Sequence, residues 1–544
     1  MCVLRFVVML ARASLSRISF AAAGALLAIY FFLGVWGSAR KSPAFDETGD
    51  IAAGLSYIQN LEVRANLQHP PLMKELSGAA LWLAGVRLPD TPAVRRMLGG
   101  EGGERQAGSE LLQAAGVDRA LLFARLPMLL CSTLLGLLVF VWGREIAGDT
   151  AAFGALVLYT LDPNVMAHGY LATMDMGLAA FAMLFLYTLW RYTQAPGTLR
   201  LVCCGVAMGL MLAAKFSAVF LLPVAAVLLL AANRGPGGWG RAVRVFLLLL
   251  GIAVLVVQAL YLSPGGVFLF KTGMASLNQD HNPDYLVYLG GQLEHNFTSY
   301  FAAAWLLKEP LATLLLGAIG LWALYRRKYP VITVLYLLLP PAAILAAHML
   351  FADDLGVRYI VPALPFAHLA GGIGAAWLVA DAGRWGRAAV VALGAWLIVG
   401  AAAVYPDQLS YFNEAACLPS HVGWLGAAGG TRCGPLWLDD SNVDWGQGLK
   451  QLSEWLDANA RGRPLRLAYF GSFPAESYLS GVQPAGMEQL MSEPAPGLYA
   501  VSAHYVARVP AISEAMGKSG GLWLAHLPPT AIVGHAFYVY DIRQ

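Results

Sequence analysis

Runs of about 20 apolar residues recur along this chain, and one such run crosses the hydrocarbon core of a bilayer as a single helix. They lie near 18–37, 120–142, 150–167, 171–190, 243–262, 301–325, 331–350, 359–380 and 387–404. The stretch 199–232 is too long for one helix and carries Lys215 at its middle, so it divides there into two short spans. About eleven spans result. Charged residues make up 13% of the 544 residues and hydrophobic ones 58%, whereas soluble domains sit near a quarter charged. A net charge of +3 from dispersed basic residues argues against a nucleic-acid partner. The first run is longer than a signal-peptide core and follows Arg5, Arg12 and Arg17, so it reads as a retained first helix.

Charge between the runs sets the orientation. With the N-terminus inside, the inner connections hold Arg144; Arg191 and Arg200; Arg234, Arg241 and Arg244; Arg326, Arg327 and Lys328; Arg384 and Arg387. Every inner loop is then basic, as the positive-inside rule requires. Merging 199–232 into one helix would invert each later loop and spoil this pattern. An odd number of spans leaves the C-terminal region outside, and the chain divides into a membrane part, 1–404, and an extracytoplasmic part, 405–544.

Three outer segments are long. In the first, 38–119, residues 42–84 suggest interfacial helices, and 85–118 read as a mobile excursion without periodicity. The second is 263–300. The third begins near 405 and alternates strand-like and helix-like stretches, which favours an α/β layer arrangement. Its strands are expected at Pro435–Asp440, Leu465–Phe470, Leu498–His504 and Phe537–Ile542, with a helix at Gly446–Asn459. Cys417 and Cys433 fall in this region and either pair, if it lies outside the cytoplasm, or stay buried thiols.

The residues able to do chemistry gather on the outer side. Asp46 and Glu47 follow the first span and, taken alone, read as an acidic helix start. His69-Pro70-Pro71-Leu72-Met73-Lys74 opens a helix, with Lys74 either snorkelling to water or lying with His69 beside an anionic headgroup. Arg125, Lys215 and Arg358 lie at outer ends of spans. Charges in membrane helices are costly and have a partner or a task. Four cations on the face that should be poor in them call for an anion such as a lipid phosphate. Asp175 is either a salt-bridge partner for one of them or a substrate contact. His168 is isolated and reads as structural, and no His/Cys/Asp/Glu spacing argues for zinc. Asn296-Phe297-Thr298 is an acceptor-type sequon of the kind frequent by chance. Asn442, Asp444 and Trp445, in Asp439–Gln447, read as a polar loop with a helix cap or as a sugar-binding wall.

Phe45-Asp46-Glu47, Gly54, Tyr57 and His69-Pro70-Pro71-Leu72 with Lys74 resemble the first outer loop of GT-C fold glycosyltransferases. The nearest group is the protein O-mannosyltransferase and aminoarabinose-transferase superfamily, glycosyltransferase family 39-like. Arg125-Leu126, Pro163 through Asp175, Gly209 through Lys215, and Arg358-Tyr359 with Pro362 and Pro365 follow in the same order, so the resemblance spans about residues 18–405. The stretch from Tyr405 to Gln447 is similar to a domain appended in bacterial members.

The resemblance implies an all-α GT-C-like membrane domain with an appended α/β domain. It also implies a polyprenyl-phosphate-linked sugar as donor and an acceptor hydroxyl on the outer side of the plasma (inner) membrane. It makes Asp46, beside Glu47, the general base, and Lys74, Arg125, Lys215 and Arg358 the donor-phosphate contacts, with His69, Tyr57 and Asp175 as substrate neighbours. Loop 263–300 is too short for the β-trefoil inserted in eukaryotic protein mannosyltransferases, which weakens the case for a protein acceptor. A phosphate leaving group needs no protonation, so one base and a cation cluster suffice for an inverting displacement. Glu47, Asp175 and Asp353 leave a divalent metal open, but cations already meet the phosphate and no cofactor is required. The rival readings are a secondary transporter or polyprenyl-lipid flippase, a transferase of whole oligosaccharides, and a non-catalytic glycan-assembly subunit. A transporter places its ionisable groups near the midplane between internal repeats, and neither feature is visible here.

Overall fold

The structure, a computed structural model, describes residues 2–279 and 284–543, with side chains described over 19–276 and 284–543. Arg5, Arg12 and Arg17, read as the inner flank of the first span, lie outside the described side chains. Among the described residues, six helices are long and apolar enough to span a membrane: Ser19–Ala39, Val117–Ala147, Gly238–Leu260, Val331–Phe351, Val357–Asp381 and Gly383–Val404. Two further pairs pass together but bend by 107° at the joint: Pro163–Tyr170 with Asp175–Gln194, and Tyr300–Lys308 with Leu311–Arg326. The chain is therefore a multi-pass membrane protein, with six to eight spans among the described residues by length and composition. Asp149–Leu161, Thr198–Ala214 and Phe216–Ala232 are shorter apolar helices. Large apolar side chains such as Phe32, Trp36, Leu247, Leu255 and Val391 are exposed, as a lipid-facing surface requires.

The stretch 199–232 breaks at Lys215, which is extended between the helix Thr198–Ala214 and a 3-10 turn at Phe216–Phe220. The run 301–325 is not the straight span expected. Glu309 is extended and Pro310, which has no N–H to continue a ladder, opens the next helix.

The first outer segment is more ordered than its sequence suggests. Helices Glu47–Asn60 and Leu72–Leu83 cross where Gly54 meets Gly78; a Cβ on Gly54 would lie 2.0 Å from the Lys74 carbonyl oxygen. Residues 85–118 are not a mobile excursion but hold helices Pro92–Gly99 and Glu104–Ala115. The Thr91 side chain caps the first of these and Pro92 starts it. Ala107, Leu111 and Leu112 are fully buried, so packing supplies what a short amphipathic pattern does not announce.

Beyond Val404 the chain builds a five-stranded sheet in the order Val482–Pro484, Leu465–Ala468, Gly497–Ser502, Phe537–Ile542, Ala531–Val533. The first three strands are parallel and the last two pairings antiparallel. The helix Leu449–Asn459 packs beside it. Pro435–Asp440 is not a strand. Pro435 sits in a 3-10 turn, Asp440 has φ +54, and only Leu438 makes a single bridge, to Leu289. Cys417 and Cys433 are joined as a disulfide.

The segment 405–447 and the helix after it are tied to the first outer loop. Lys41 Nζ bonds Asp407 at 2.5 Å and Gln451 at 2.6 Å, and the Phe45 N–H donates to the Trp445 carbonyl at 2.8 Å. Ser472 Oγ donates to the Phe45 carbonyl at 2.5 Å. The backbone leading into Asp46 is thus held from the C-terminal side.

Candidate functional site

Asp46 stands at the N-cap position of helix Glu47–Asn60, yet its side chain caps nothing. It reaches Arg358 instead, whose Nη1 donates to Asp46 Oδ2 at 2.8 Å. The Asp46 side chain is 31% exposed and that of Arg358 12%, so the carboxylate remains open to a substrate. The Arg358 guanidinium lies 4.3 Å over the Trp445 ring and 5.1 Å over Tyr359. Such stacking holds a cation in place at little cost in hydration. Gly356 approaches Arg358 with φ +129, and a Cβ there would meet Ser441 Oγ at 2.1 Å. Asn442 Oδ1 accepts from the Val357 N–H at 2.9 Å. The loop 439–447 therefore positions Arg358 from behind.

Two cavities meet at this ion pair. The first, of about 730 Å³, is lined by Asp46, Asp50, His69, Asp175, Lys215 and Arg358 together with apolar residues such as Phe216, Phe220, Phe351 and Met274. The second, of about 610 Å³, is lined by Phe45, Asp46, Arg105, Tyr285, Arg358, Asp440, Trp445 and Phe470, among others. Asp46, Asp353 and Arg358 belong to both. Each volume falls in the usual range for small-molecule sites.

The cations of the site face carboxylates. Lys215 Nζ donates to Asp175 Oδ1 at 2.5 Å and lies 4.4 Å over Tyr359. Asp175 therefore fits both of its readings, ion-pair partner and cavity wall. Lys74 stands behind the wall rather than in it. Its Nζ donates to the Asn66 carbonyl at 2.6 Å and lies 3.8 Å from Asp50, which does line the cavity. Burial raises the Asp50 carboxyl and lowers the Lys74 ammonium, drawing this pair toward its neutral forms. His69 lines the cavity, but burial and then Lys215 push its imidazole well below its ordinary value. It offers a neutral ring to an anion, not a charge.

Several expected site residues are placed elsewhere. Glu47 is fully buried and accepts from Arg125, from the Ala44 N–H at 2.8 Å and from the Ala172 N–H at 2.8 Å. Arg125 spends its remaining donors on the carbonyls of Ser38, Lys41 and Ser42. Neither lines either of these two cavities, so this pair braces the first loop rather than meeting a substrate. Tyr57 holds the carbonyls of Ala65 and Asn66. Asn442 and Asp444 are fully buried; Asp444 accepts from Ser502 Oγ at 2.5 Å and from the Gly446 N–H at 2.9 Å. Of the three loop residues singled out, Trp445 alone reaches a cavity. His168 is buried and lines neither.

The structure adds residues the sequence reading passed over. Arg105 lies 4.7 Å over the Phe45 ring, which stacks on Phe470 at 5.6 Å. Tyr285 donates to Asp440 Oδ2 at 3.0 Å. Asp50 had a signal, four residues after Asp46 and so on the same helix face. Arg105 and Tyr285 had none, because their segments show no motif.

A family model described as dolichyl-phosphate-mannose-protein mannosyltransferase matches residues 117–262. A comparison with curated proteins gives no match. The structure of ArnT from Cupriavidus metallidurans in the apo state aligns over 95% of this chain and 98% of its own, at 15% identity and a TM-score of 0.49. The same protein bound to undecaprenyl phosphate aligns over 95% and 97%, at 13% identity and a TM-score of 0.45. The S. cerevisiae protein O-mannosyltransferase Pmt1-Pmt2 complex, bound to its sugar donor, aligns over 48% and 34%, at 17% identity and a TM-score of 0.33. Over residues 117–262, which hold Arg125, Asp175 and Lys215, the chain is similar to the dolichyl-phosphate-mannose-protein mannosyltransferase family, in line with the GT-C glycosyltransferase resemblance.

Proposed function

We propose that this protein moves a sugar from a polyprenyl-phosphate carrier to an acceptor hydroxyl on the extracytoplasmic side of the plasma membrane, with Asp46 as general base. The observation that carries the reading is the place of Asp46: it stands in the wall common to two cavities. The first cavity joins Lys215 and Arg358 to an apolar lining, which suits a phosphate on a lipid tail. The second opens beside Trp445 and the outer loops, where an acceptor would enter.

In this mechanism the donor phosphate takes Lys215 and Arg358 from their carboxylates. Asp46, released from Arg358, accepts the acceptor's proton as its oxygen attacks the anomeric carbon. The bond to phosphate breaks on the opposite face, and the two cations stabilise the charge that grows there. A single displacement inverts the anomeric centre. Eleven spans follow if the two bent pairs and the three shorter helices each cross, with the N-terminus inside and 405–544 outside as an α/β domain.

The test is transfer from a radiolabelled polyprenyl-phosphate sugar by the full chain in lipid nanodiscs. Asp46→Asn abolishes transfer and retains lipid-phosphate binding. Near-normal turnover in that variant removes Asp46 from its role.

A further inference from the structure

Asp162, Glu309 and His368 take no part in the reaction just described, and they converge outside both cavities. Asp162 caps helix Pro163–Tyr170: its Oδ1 accepts from the Asn164 N–H at 2.7 Å and the Val165 N–H at 3.4 Å. That fixes the carboxylate and turns Oδ2 toward His368 Nε2, 2.9 Å away. Glu309 Oε1 lies 3.4 Å from the same nitrogen. One ligand atom from each residue lies within 4.8 Å of the others, the only such group among the described residues. All three side chains are 0–1% exposed.

The second observation is Glu309 itself. Both its carboxylate oxygens are buried without a hydrogen-bond partner. Its backbone is held, since the Glu309 carbonyl accepts from Asn413 Nδ2 at 2.7 Å and the Lys308 carbonyl from Asn164 Nδ2 at 2.7 Å. The carboxylate is therefore aimed at the cluster by a pinned bend in the chain. The nearby Lys308 ammonium does not neutralise it. That group donates to the carbonyls of Leu409 at 2.7 Å and Asn442 at 2.6 Å, and lies 4.5 Å over Phe412. Two carboxylates so close in a dry interior are costly unless a positive charge compensates them, and among the described residues the His368 ring is the one group that faces both, as a protonated imidazole or as a co-ligand.

We propose that Asp162, Glu309 and His368 form a structural site for a first-row divalent cation, with zinc as its best probe. Ligand atoms about 2.0–2.2 Å from such an ion stand about 2.9 Å apart at a right angle and about 3.4 Å apart at the tetrahedral angle. Those are the two separations found at His368 Nε2. One imidazole and two carboxylates suit zinc or manganese better than calcium, which prefers oxygen alone. The ion fastens three places together: the cap of the bent helix at Asp162, the joint at Glu309–Pro310, and the second turn of helix Leu364–Asp381. From the joint, Lys308 reaches Asn442, which holds Val357 next to Arg358. The ion thus steadies the frame behind the site and touches no substrate. This inference is independent of the proposed reaction.

The test is metal content per chain by plasma mass spectrometry on full-length protein in detergent, after zinc exposure and removal of free metal. About one zinc per chain is expected in the wild type and in Asp46→Asn, and less than a fifth of that in Glu309→Gln and His368→Gln. Retention by Asp46→Asn separates this site from any metal at the cavities. A chelator added to the wild type lowers its thermal unfolding midpoint, and zinc restores it, so the reading survives even if a variant folds poorly. Wild-type protein without stoichiometric metal, equal metal in all variants, or a midpoint indifferent to chelator overturns the proposal.

Discussion

The buried pair Arg125–Glu47 separates the sequence reading from the structural one, because the first makes Arg125 a phosphate ligand and the second makes it a brace. The perturbation is Arg125→Met, which keeps length and removes the guanidinium. Five donor contacts disappear: two to Glu47, and one each to the carbonyls of Ser38, Lys41 and Ser42. The Glu47 carboxylate is then left with the Ala44 and Ala172 N–H groups in a site of no exposure. Breaking a buried pair by removing one partner costs about 3–5 kcal/mol, since an uncompensated charge stays behind. For a chain of this size that lowers the thermal midpoint by about 3–4 °C. The assay is tryptophan fluorescence on heating in detergent, with donor-lipid affinity measured on the same folded sample. Glu47→Gln shows a smaller fall, and the double variant Arg125→Met/Glu47→Leu recovers part of the loss because no charge is stranded. Donor affinity stays within about twofold, because neither side chain lines either of the two cavities. An unchanged midpoint together with a tenfold or greater loss of donor affinity refutes the brace and restores Arg125 to the phosphate.

Asn442→Ala removes the acceptor of the Val357 N–H and the donor to Tyr300, costing about 1–3 kcal/mol; it weakens donor binding through Arg358, and donor affinity equal to wild type argues against that route. Burial raises the Asp444 carboxyl from 3.8 to about 7, so the folded state holds its proton where the unfolded state has lost it. Its contribution to stability is therefore present below about pH 4, is lost as pH rises to about 7, and is flat above. Denaturant titrations of Asp444→Asn across that range show a shallower fall than wild type, and an identical slope contradicts the assignment. Cys417→Ser opens a loop of sequence separation 16 and costs about 3 kcal/mol on the chain-entropy estimate; a midpoint unmoved by this variant and by reductant counts against any stabilising role.

The coarse frame was legible because length and apolarity are one-dimensional quantities. The break at Lys215 could be read from a charge interrupting a run too long for one helix. The bend at Glu309 carried the same sort of signal, Lys308-Glu309-Pro310 inside an apolar run, and was passed over because the run had a spanning length. Asp46, Lys215, Arg358 and Trp445 were legible as charged or aromatic residues in a setting that taxes them. What could not be read was pairing. Glu47 and Asp46 are neighbours of like chemistry, yet one faces Arg125 in the interior and the other faces Arg358 at a cavity. Only the helix turn between them decides which is which. Asn442 and Asp444 likewise look like ligand-binding groups, but they serve the backbone.

The clamp of Trp445 and Asn442 on Arg358 also bears on the order of biogenesis. A membrane chain is threaded into the bilayer from its N-terminus as it is made, so Asp46 and Lys215 are in place before residues 439–447 leave the ribosome. Until that late stretch docks, Arg358 has the Tyr359 ring but lacks the closer Trp445 ring and the anchor at Val357. Under the proposed reaction, the nascent protein is therefore inert toward carrier lipid while it is still being assembled, and transfer activity would report that the last quarter of the chain has arrived and folded.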